Sequence, residues 1–289
     1  MNTTQLWIEG ARLRTLPAAI APVAAGTGAA AALDGFHLGR ALLALGVALA
    51  LQVGVNYAND YSDGVRGTDV ERVGPVRLVG SGHVSPRAVK WAAFACFGLA
   101  AILGLILVVL ARQWWLLAAG LLAIFAAWGY TGGKNPYGYR GLGEVGVFVF
   151  FGLFAVLGTT YTQAGRISWQ AGAGAISIGL LACAILMANN LRDLSMDAVA
   201  GKRTLAVRVG DVWSRRLGIL WISGGLLFAL IPLWTHPWVG LNALAAIPAT
   251  FTAQKLRTAT GPALVPVLRN IGLIELAVGI LLGVGLALS

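Results

Sequence analysis

Nine apolar runs, each 18 to 25 residues long, constrain this chain more than anything else in it. They cover about residues 15 to 34, 39 to 59, 89 to 111, 114 to 132, 143 to 164, 169 to 191, 215 to 234, 237 to 254 and 264 to 288. At 1.5 Å of rise per residue, about 20 helical residues cross a hydrocarbon core of about 30 Å. Backbone inside lipid must satisfy its own polar groups, and runs this continuous do not fit the alternation of barrel strands. The expected fold is an all-α polytopic bundle of about nine transmembrane helices, one integral-membrane domain over 1-289. Composition agrees: 58% hydrophobic and 11% charged residues, with a mean hydropathy of +0.78, leave too little charge to coat a water-soluble domain of 289 residues.

The basic residues orient the bundle. With the amino terminus on one side, that side receives 18 of the 21 lysines and arginines, and the other receives only Arg40, Arg112 and Arg166. The positive-inside rule then places the amino terminus in the cytoplasm and the carboxyl terminus outside a cell membrane. Topology also accounts for most of the net charge of +10, so no nucleic-acid partner is read from it. No cleavable signal peptide is read at the amino terminus. Cys96 and Cys183 lie in apolar runs without metal-ligand spacing and read as core residues.

Outer connections are tight, whereas two inner ones are long, about 60 to 88 and 192 to 214. Long polar loops on one face of a bundle are where an active site is built, here facing the cytoplasm. Each opens on an acidic stretch: Asn56-Tyr-Ala-Asn59-Asp60-Tyr-Ser-Asp63 running on to Asp69, and Asn189-Asn190-Leu-Arg-Asp193-Leu-Ser-Met-Asp197. Together these hold five of the eleven carboxylates. Asn59 and Asp63 are four apart, as are Asn189 and Asp193, and both pairs close an even-numbered helix on the same side. That echo suggests a parallel repeat of about four helices.

Residues four apart share a helix face, so Asn59 with Asp63 and Asp193 with Asp197 each offer two oxygen-bearing side chains to one point. Such sets suit Mg²⁺, which keeps several waters and binds through one or two carboxylates plus substrate phosphates. Two sites facing each other would clamp a diphosphate and neutralise the charge that develops as it leaves. Arg66, Arg72 and Arg77 follow the first stretch, Lys202 and Arg203 the second, and Lys134 and Arg140 lie in the loop between. Lys134, Arg140, Lys202 and Arg203 read equally as diphosphate ligands or as topogenic charge.

A further inner segment runs from Tyr130 through Lys134, Tyr137, Tyr139 and Arg140 to Glu144, with five glycines and a proline in fifteen residues. The glycines indicate turns and close backbone approach, and a carboxylate here is costly in lipid unless used. The tyrosines read either as an interfacial belt or as aromatic faces that stabilise a carbocation. His37, His83 and His236 have no partner at metal-ligand spacing.

Several fragments now resemble a known family. Asn59-Asp60-x-x-Asp63 followed by Asp69, then Asp193-x-x-x-Asp197 and Lys202, is similar to the UbiA superfamily of intramembrane aromatic prenyltransferases. Arg14-Thr-Leu-Pro17, Asn56-Tyr-Ala-Asn-Asp-Tyr-Ser-Asp63, Gly74-Pro-Val-Arg77, Tyr130-Thr-Gly-Gly133, Asn189-Asn-Leu-Arg-Asp193 and Thr204-Leu-Ala-Val-Arg-Val-Gly210 resemble its 1,4-dihydroxy-2-naphthoate branch. The resemblance runs from about Arg12 to the last helix. One departure is that Asp63 and Asp69 are six apart where Asp193 and Asp197 are four.

The resemblance implies two Mg²⁺ ions held by Asn59, Asp63, Asp193 and Asp197, with Asp69 as a further ligand. It implies a polyprenyl diphosphate whose head contacts Arg66, Arg77, Lys134, Arg140, Lys202 and Arg203 and whose tail threads toward membrane lipid. The acceptor, 1,4-dihydroxy-2-naphthoate, would attack the allylic cation and lose its carboxylate. Substrate contacts are expected from Asn56, Tyr130, Tyr137, Tyr139, Asn189 and Asn190. Asp60 and Glu144 are candidates for a base that ionises a ring hydroxyl. A relative acting on 4-hydroxybenzoate is the nearest alternative.

Other classes fit less well. A CDP-alcohol phosphotransferase needs further aspartates on the next helix, and the run 89 to 111 has none. A divalent-cation transporter needs carboxylates through the midplane, where only Glu275 stands. A scaffold leaves the acidic pairs unexplained.

Overall fold

The computed structural model describes residues 2–67 and 77–289. Among them the chain is all-helical, and six helices are long and apolar enough to cross a membrane. Asn2 starts helix α1 (Thr3–Ala11) with a reciprocal cap: its side chain accepts the Gln5 amide at 2.8 Å, and the Gln5 side chain accepts the Asn2 amide at 3.1 Å. Arg12, at φ 54°, ends it in the left-handed region. Pro17 then opens α2 (Pro17–Ala31), where its fixed φ and missing N–H cost nothing.

The first half is completed by α3 (Leu38–Val65), α4 (Pro86–Ala111) and α5 (Leu116–Gly129). The second comprises α6 (Gly143–Ala164), α7 (Trp169–Arg192), the short α8 (Leu194–Val199), α9 (Leu205–Trp234), α10 (Ala246–Thr258) and α11 (Leu264–Ala287). Within α6, residues Phe148–Leu157 wind as a π-helix. Helix α9 bends at Gly210, whose φ of 79° no helical residue adopts.

Besides the run that contains this π-helical stretch, three of the nine apolar runs form something other than one long α-helix. Helices α2 and α5, of 15 and 14 residues, span only about 22 Å each, short of a 30 Å core. The run after α9 opens as a 3₁₀ segment, Pro237–Ala245, before α10. Prolines, glycines and chain reversals consume the ends of these runs, and hydropathy alone does not register them.

Helix α7 is the most enclosed of the spanning helices and forms the axis of the bundle, touching α2, α6, α9 and α11. Helices α2 and α11 meet almost backbone to backbone. A methyl added at Gly279 would lie 2.5 Å from the Ala21 carbonyl oxygen, and one at Gly28 would overlap the backbone of Gly283. Small residues are how membrane helices approach this closely. The outer faces stay apolar: Leu99, Ile102, Leu121, Phe125, Leu220, Leu227 and Phe251 are all exposed, as lipid contact requires.

Candidate active site

The two acidic stretches, 130 residues apart in sequence, meet at one lysine. The Lys202 ammonium donates to Asp63 Oδ1 at 2.9 Å and stands 3.8 Å from Asp197 Oδ1. Local turns deliver it there. Asp193 leaves the helical region at the end of α7, and α8 carries the chain one turn to Asp197, whose amide bonds back to the Asp193 carbonyl at 2.8 Å. Gly201, at φ 75°, reverses the chain so that the Lys202 amide donates to the Asp197 carbonyl at 2.8 Å. Asp193 thus closes α7 and is at the same time the N-cap of α8, so it and Asp197 stand one helical turn apart at a junction between two helices and not within one long helix.

Around Asp63 the other groups converge. Arg77 approaches its second oxygen at 3.6 Å, and the Tyr139 hydroxyl donates to the first. The Tyr139 ring lies between two cations, Lys202 at 4.7 Å and Arg66 at 5.2 Å from its centroid. Burial, and then the Asp63 carboxylate beside it, push the Tyr139 hydroxyl far above the ordinary tyrosine range, so it stays a donor. Burial raises Tyr137 to about 12. In the second stretch Arg192 forks onto Asp193 at 2.7 and 2.6 Å and donates to Asn189 Oδ1 at 2.9 Å.

A cavity of about 670 Å³ opens from this polar end. Asn56, Asn59, Arg77, Tyr130, Tyr137, Asn189 and Arg192 line its mouth, and apolar side chains of α2 to α7 and α11 form its walls. Glycines let the mouth close up. A methyl at Gly146 would meet the Tyr137 ring at 2.7 Å, and one at Gly138 would meet the Tyr130 carbonyl at 2.6 Å. The Tyr130 and Tyr137 rings pack edge to face with centroids 5.5 Å apart.

Several expected residues sit elsewhere. Asp60 is fully buried, and its two oxygens accept the amides of Leu78 and Val79, both at 2.9 Å. It pins the returning loop onto α3. Arg66 spends its guanidinium on the carbonyls of Thr131 and Gly133, at 2.6 and 2.5 Å. Glu144 and Asn190 face each other at 3.0 Å, away from the lining of the cavity. Lys134, Arg140 and Arg203 are exposed on the rim. Asn56 lines the mouth but also donates to the Ala11 carbonyl and the Thr15 hydroxyl, holding the start of α2. Asp69 and Arg72 lie outside the described residues.

Other residues enter that spacing did not single out. Thr131 donates to Asn59 Oδ1 at 2.7 Å, and Arg12, Arg14, Thr15 and Gln52 reach the cavity. The Arg14-Thr-Leu-Pro17 fragment and the arginine beside Asp193 were the available signals.

The donor set bears on a metal. Among the described residues no group of three or more His, Cys, Asp or Glu gathers as a ready-made cage. What is present is one amide oxygen and one or two carboxylates per stretch, already arranged about the cationic nitrogens of Lys202 and Arg192. That composition fits Mg²⁺, whose shell diphosphate oxygens and water complete.

A helical membrane bundle whose apolar cavity ends on an asparagine from each of two acidic stretches, with Arg77 and Arg192 beside them, has the architecture of an intramembrane prenyltransferase. The chain belongs to the UbiA prenyltransferase family, whose profile matches residues 19–264. It is 54% identical over 270 residues to the 1,4-dihydroxy-2-naphthoate octaprenyltransferase of Mycobacterium tuberculosis, covering 92% of this chain and 91% of that one. With the enzyme of the same name from Mycobacterium leprae it shares 50% over 269 residues, 92% and 91% of the two chains. In fold it is similar to a UbiA homologue from Archaeoglobus fulgidus bound to DMAPP and Mg²⁺, with TM-score 0.70, 16% identity and coverage of 98% and 99%.

Proposed function

We propose that this chain transfers a polyprenyl group from polyprenyl diphosphate to 1,4-dihydroxy-2-naphthoate, releasing diphosphate and CO₂ and giving demethylmenaquinol. The observation that carries the reading is the cavity itself, an apolar tunnel whose polar end is lined by Asn59 and Asn189, one from each acidic stretch, together with Arg77 and Arg192. The similarity to the two mycobacterial enzymes supports the choice of acceptor.

The residues divide the work. Asn59, Asp63, Asn189, Asp193 and Asp197 would hold Mg²⁺, read as two ions with Asp69 contributing from its own segment. Bound Mg²⁺ supplies electrostatic stabilisation to the departing diphosphate. Lys202 and Arg77, which stand at Asp63, and Arg192, which stands at Asp193, would stabilise the anion as the C1–O bond of the donor breaks. Apolar walls exclude water from the allylic cation, and the faces of Tyr130 and Tyr137 stabilise it. The ring carbon bearing the carboxylate forms the new C–C bond, and loss of CO₂ returns its electron pair to the ring. No strong base is needed for the decarboxylating route.

In the membrane we place the mouth on the cytoplasmic face, the amino terminus inside and the carboxyl terminus outside, with nine crossings in which α2 and α5 are the short ones. The basic bias of the mouth-side loops supports this orientation. We read the chain as one domain whose two Asn/Asp helix ends are the echo of a parallel repeat. Glu275 is fully buried in the apolar core and does not line the cavity, which speaks against a cation pathway.

The test is purified protein with polyprenyl diphosphate, Mg²⁺ and a panel of aromatic acids, scored by product mass. Demethylmenaquinol from dihydroxynaphthoate is expected. A product from 4-hydroxybenzoate and none from dihydroxynaphthoate would overturn the acceptor.

A further inference from the structure

One end of the bundle carries positive charge that no carboxylate answers. Between Asp211 and Glu275 the chain has no acidic residue, yet it carries Arg215, Arg216, Lys255, Arg257 and Arg269. Arg215 spends its guanidinium on Asp211, at 2.7 and 2.9 Å, and on the carbonyls of Leu256 and Ala259 at the end of α10, at 2.7 and 2.8 Å. Asp211 is thereby taken, and Glu275 is fully buried in the core. The same contacts put the end of α10 on the side where Lys202 leads into α9. Lys255, Arg257 and Arg269 stand exposed at that end.

A groove of about 350 Å³ starts there and runs between α10 and α11. It shares no lining residue with the catalytic cavity. Residues three or four apart put one stripe of each helix into it: Pro248, Thr252 and Lys255 from α10, and Asn270, Ile274 and Ala277 from α11. Lys255 and Asn270 form its head. Below them the groove is apolar, because the Thr252 hydroxyl is spent on the Pro248 carbonyl at 2.8 Å. Phe251 also lines the groove and is exposed, so the groove lies open on the outer face of the bundle.

The donors at the head decide what it can hold. Asn270 lies about 9 Å along α11 from Leu264, at 1.5 Å per residue. Among the described residues, neither its side-chain amide nor the Lys255 ammonium makes a hydrogen bond or an ion pair with the protein. Inside a bilayer an unanswered amide is costly. Both groups offer N–H donors, and no carboxylate stands with them, so a fitting occupant brings anionic oxygen. From Asn270 to Ala277 the groove runs about 10.5 Å, the length of about eight C–C bonds at 3.80 Å per three. An anion joined to a hydrocarbon chain fits both halves, whereas free phosphate leaves the apolar half unused.

We propose that this groove binds an anionic phospholipid, with its phosphate at Lys255 and Asn270 and one acyl chain along Phe251, Ile274 and Ala277. Arg257 and Arg269 add attraction from the rim, as basic groups near a membrane surface do for anionic lipid. A polyprenyl diphosphate has related chemistry, but phospholipid is the medium that bathes this face and fills the groove by mass action. Bound there, it clips α10 to α11, whose opposite face lines the catalytic cavity with Val265, Leu268 and Gly272. The inference is independent of the proposed reaction.

The experiment takes the full-length protein in uncharged detergent and reads its thermal unfolding midpoint, each variant against its own lipid-free value. The probes are phosphatidylglycerol, phosphatidylcholine, inorganic phosphate and a polyprenyl diphosphate. Phosphatidylglycerol is expected to raise the parent midpoint by about 4 °C or more beyond phosphatidylcholine, with no shift from inorganic phosphate. Lys255→Gln and Asn270→Leu should each lose at least half of that excess. Ala277→Phe, which fills the groove and keeps every charge, should lose it too. Arg87→Gln removes an exposed cation from the start of α4 and should keep it. Equal shifts from the two phospholipids, an excess that survives in Lys255→Gln or Ala277→Phe, or an equal loss in Arg87→Gln overturns the proposal. A shift from inorganic phosphate as large as that from phosphatidylglycerol would overturn it in favour of a plain anion site. A Lys255-dependent shift from polyprenyl diphosphate but none from phosphatidylglycerol would overturn it in favour of a donor site.

Discussion

Lys202 and Asp63 lie 139 positions apart in the chain, and their ammonium and carboxylate are 2.9 Å apart in a buried pair. The pair ties the end of α3 to the turn after α8. Removing one partner of a buried pair strands the other charge, at a cost of about 3–5 kcal/mol. Lys202→Met is therefore expected to lower the melting temperature of the metal-free protein and to reduce kcat at least 100-fold. A variant that melts and turns over like the parent would show that the pair has neither role.

Asp60 and Asp63 are three residues apart and should separate cleanly. Asp60→Ala leaves the amides of Leu78 and Val79 unbonded, a loss of about 2–4 kcal/mol. Asp60→Asn keeps one acceptor oxygen and should recover part of that stability along with much of the activity. Asp63→Asn removes the charge that pairs with Lys202, so it too should lose stability, and unlike Asp60→Asn it should lose turnover by at least 100-fold. Thermal melts beside initial rates for the three variants test the division; equal behaviour of Asp60→Asn and Asp63→Asn would refute it.

Arg192 holds Asp193 and Asn189 together. Arg192→Gln should raise the KM for the diphosphate donor by about tenfold or more and weaken inhibition by inorganic diphosphate, while leaving the KM for the acceptor nearly unchanged. A selective rise in the acceptor KM would instead assign Arg192 to the acceptor carboxylate.

Burial raises Tyr137 to about 12, above the ordinary value of 10.0. A group whose pKa is raised on folding contributes stability that is full below its unfolded pKa and is lost as pH rises through the folded one. The Tyr137 contribution is thus complete below pH 10 and disappears between about 10 and 12. Subtracting the melts of Tyr137→Phe from those of the parent at pH 9, 10 and 11 isolates it. The predicted difference shrinks with rising pH, and a constant difference would contradict it.

Close packing of α2 on α11 leaves no room at Gly279, where a methyl would approach the Ala21 carbonyl oxygen at 2.5 Å. Gly279→Leu should destabilise the protein by about 1–3 kcal/mol. Gly158→Ala, in open lumen, should not lower the melting temperature at all. Paired thermal melts of the two variants decide it.

The class of fold and the two stretches that build the site were legible in the sequence because they depend on local signals: apolar length, basic asymmetry, and Asn and Asp at helical spacing. What was illegible depends on contacts between distant segments. Nothing local distinguishes Asp60, which binds two amides 18 and 19 positions on, from Asp63, which binds a lysine 139 positions on. Arg66 reads as a phosphate ligand until the Thr131 and Gly133 carbonyls are seen to occupy it. Glu144 gives no local sign that its partner is Asn190, 46 positions on. Helix length failed for a related reason: Pro17 and the turns around α5 shorten apolar runs without making them less apolar.

The central claim is that the two acidic stretches form one Mg²⁺-dependent prenyl-transfer site. The most direct measurement is the rate of demethylmenaquinol formation by purified parent, Asp63→Asn and Asp193→Asn proteins, each with Mg²⁺, with chelator, and with Mg²⁺ restored. The account predicts turnover in the parent that chelation abolishes and Mg²⁺ recovers, and a loss of at least 100-fold in each variant. Turnover within tenfold of the parent in either variant, or a parent rate indifferent to chelation, would contradict it.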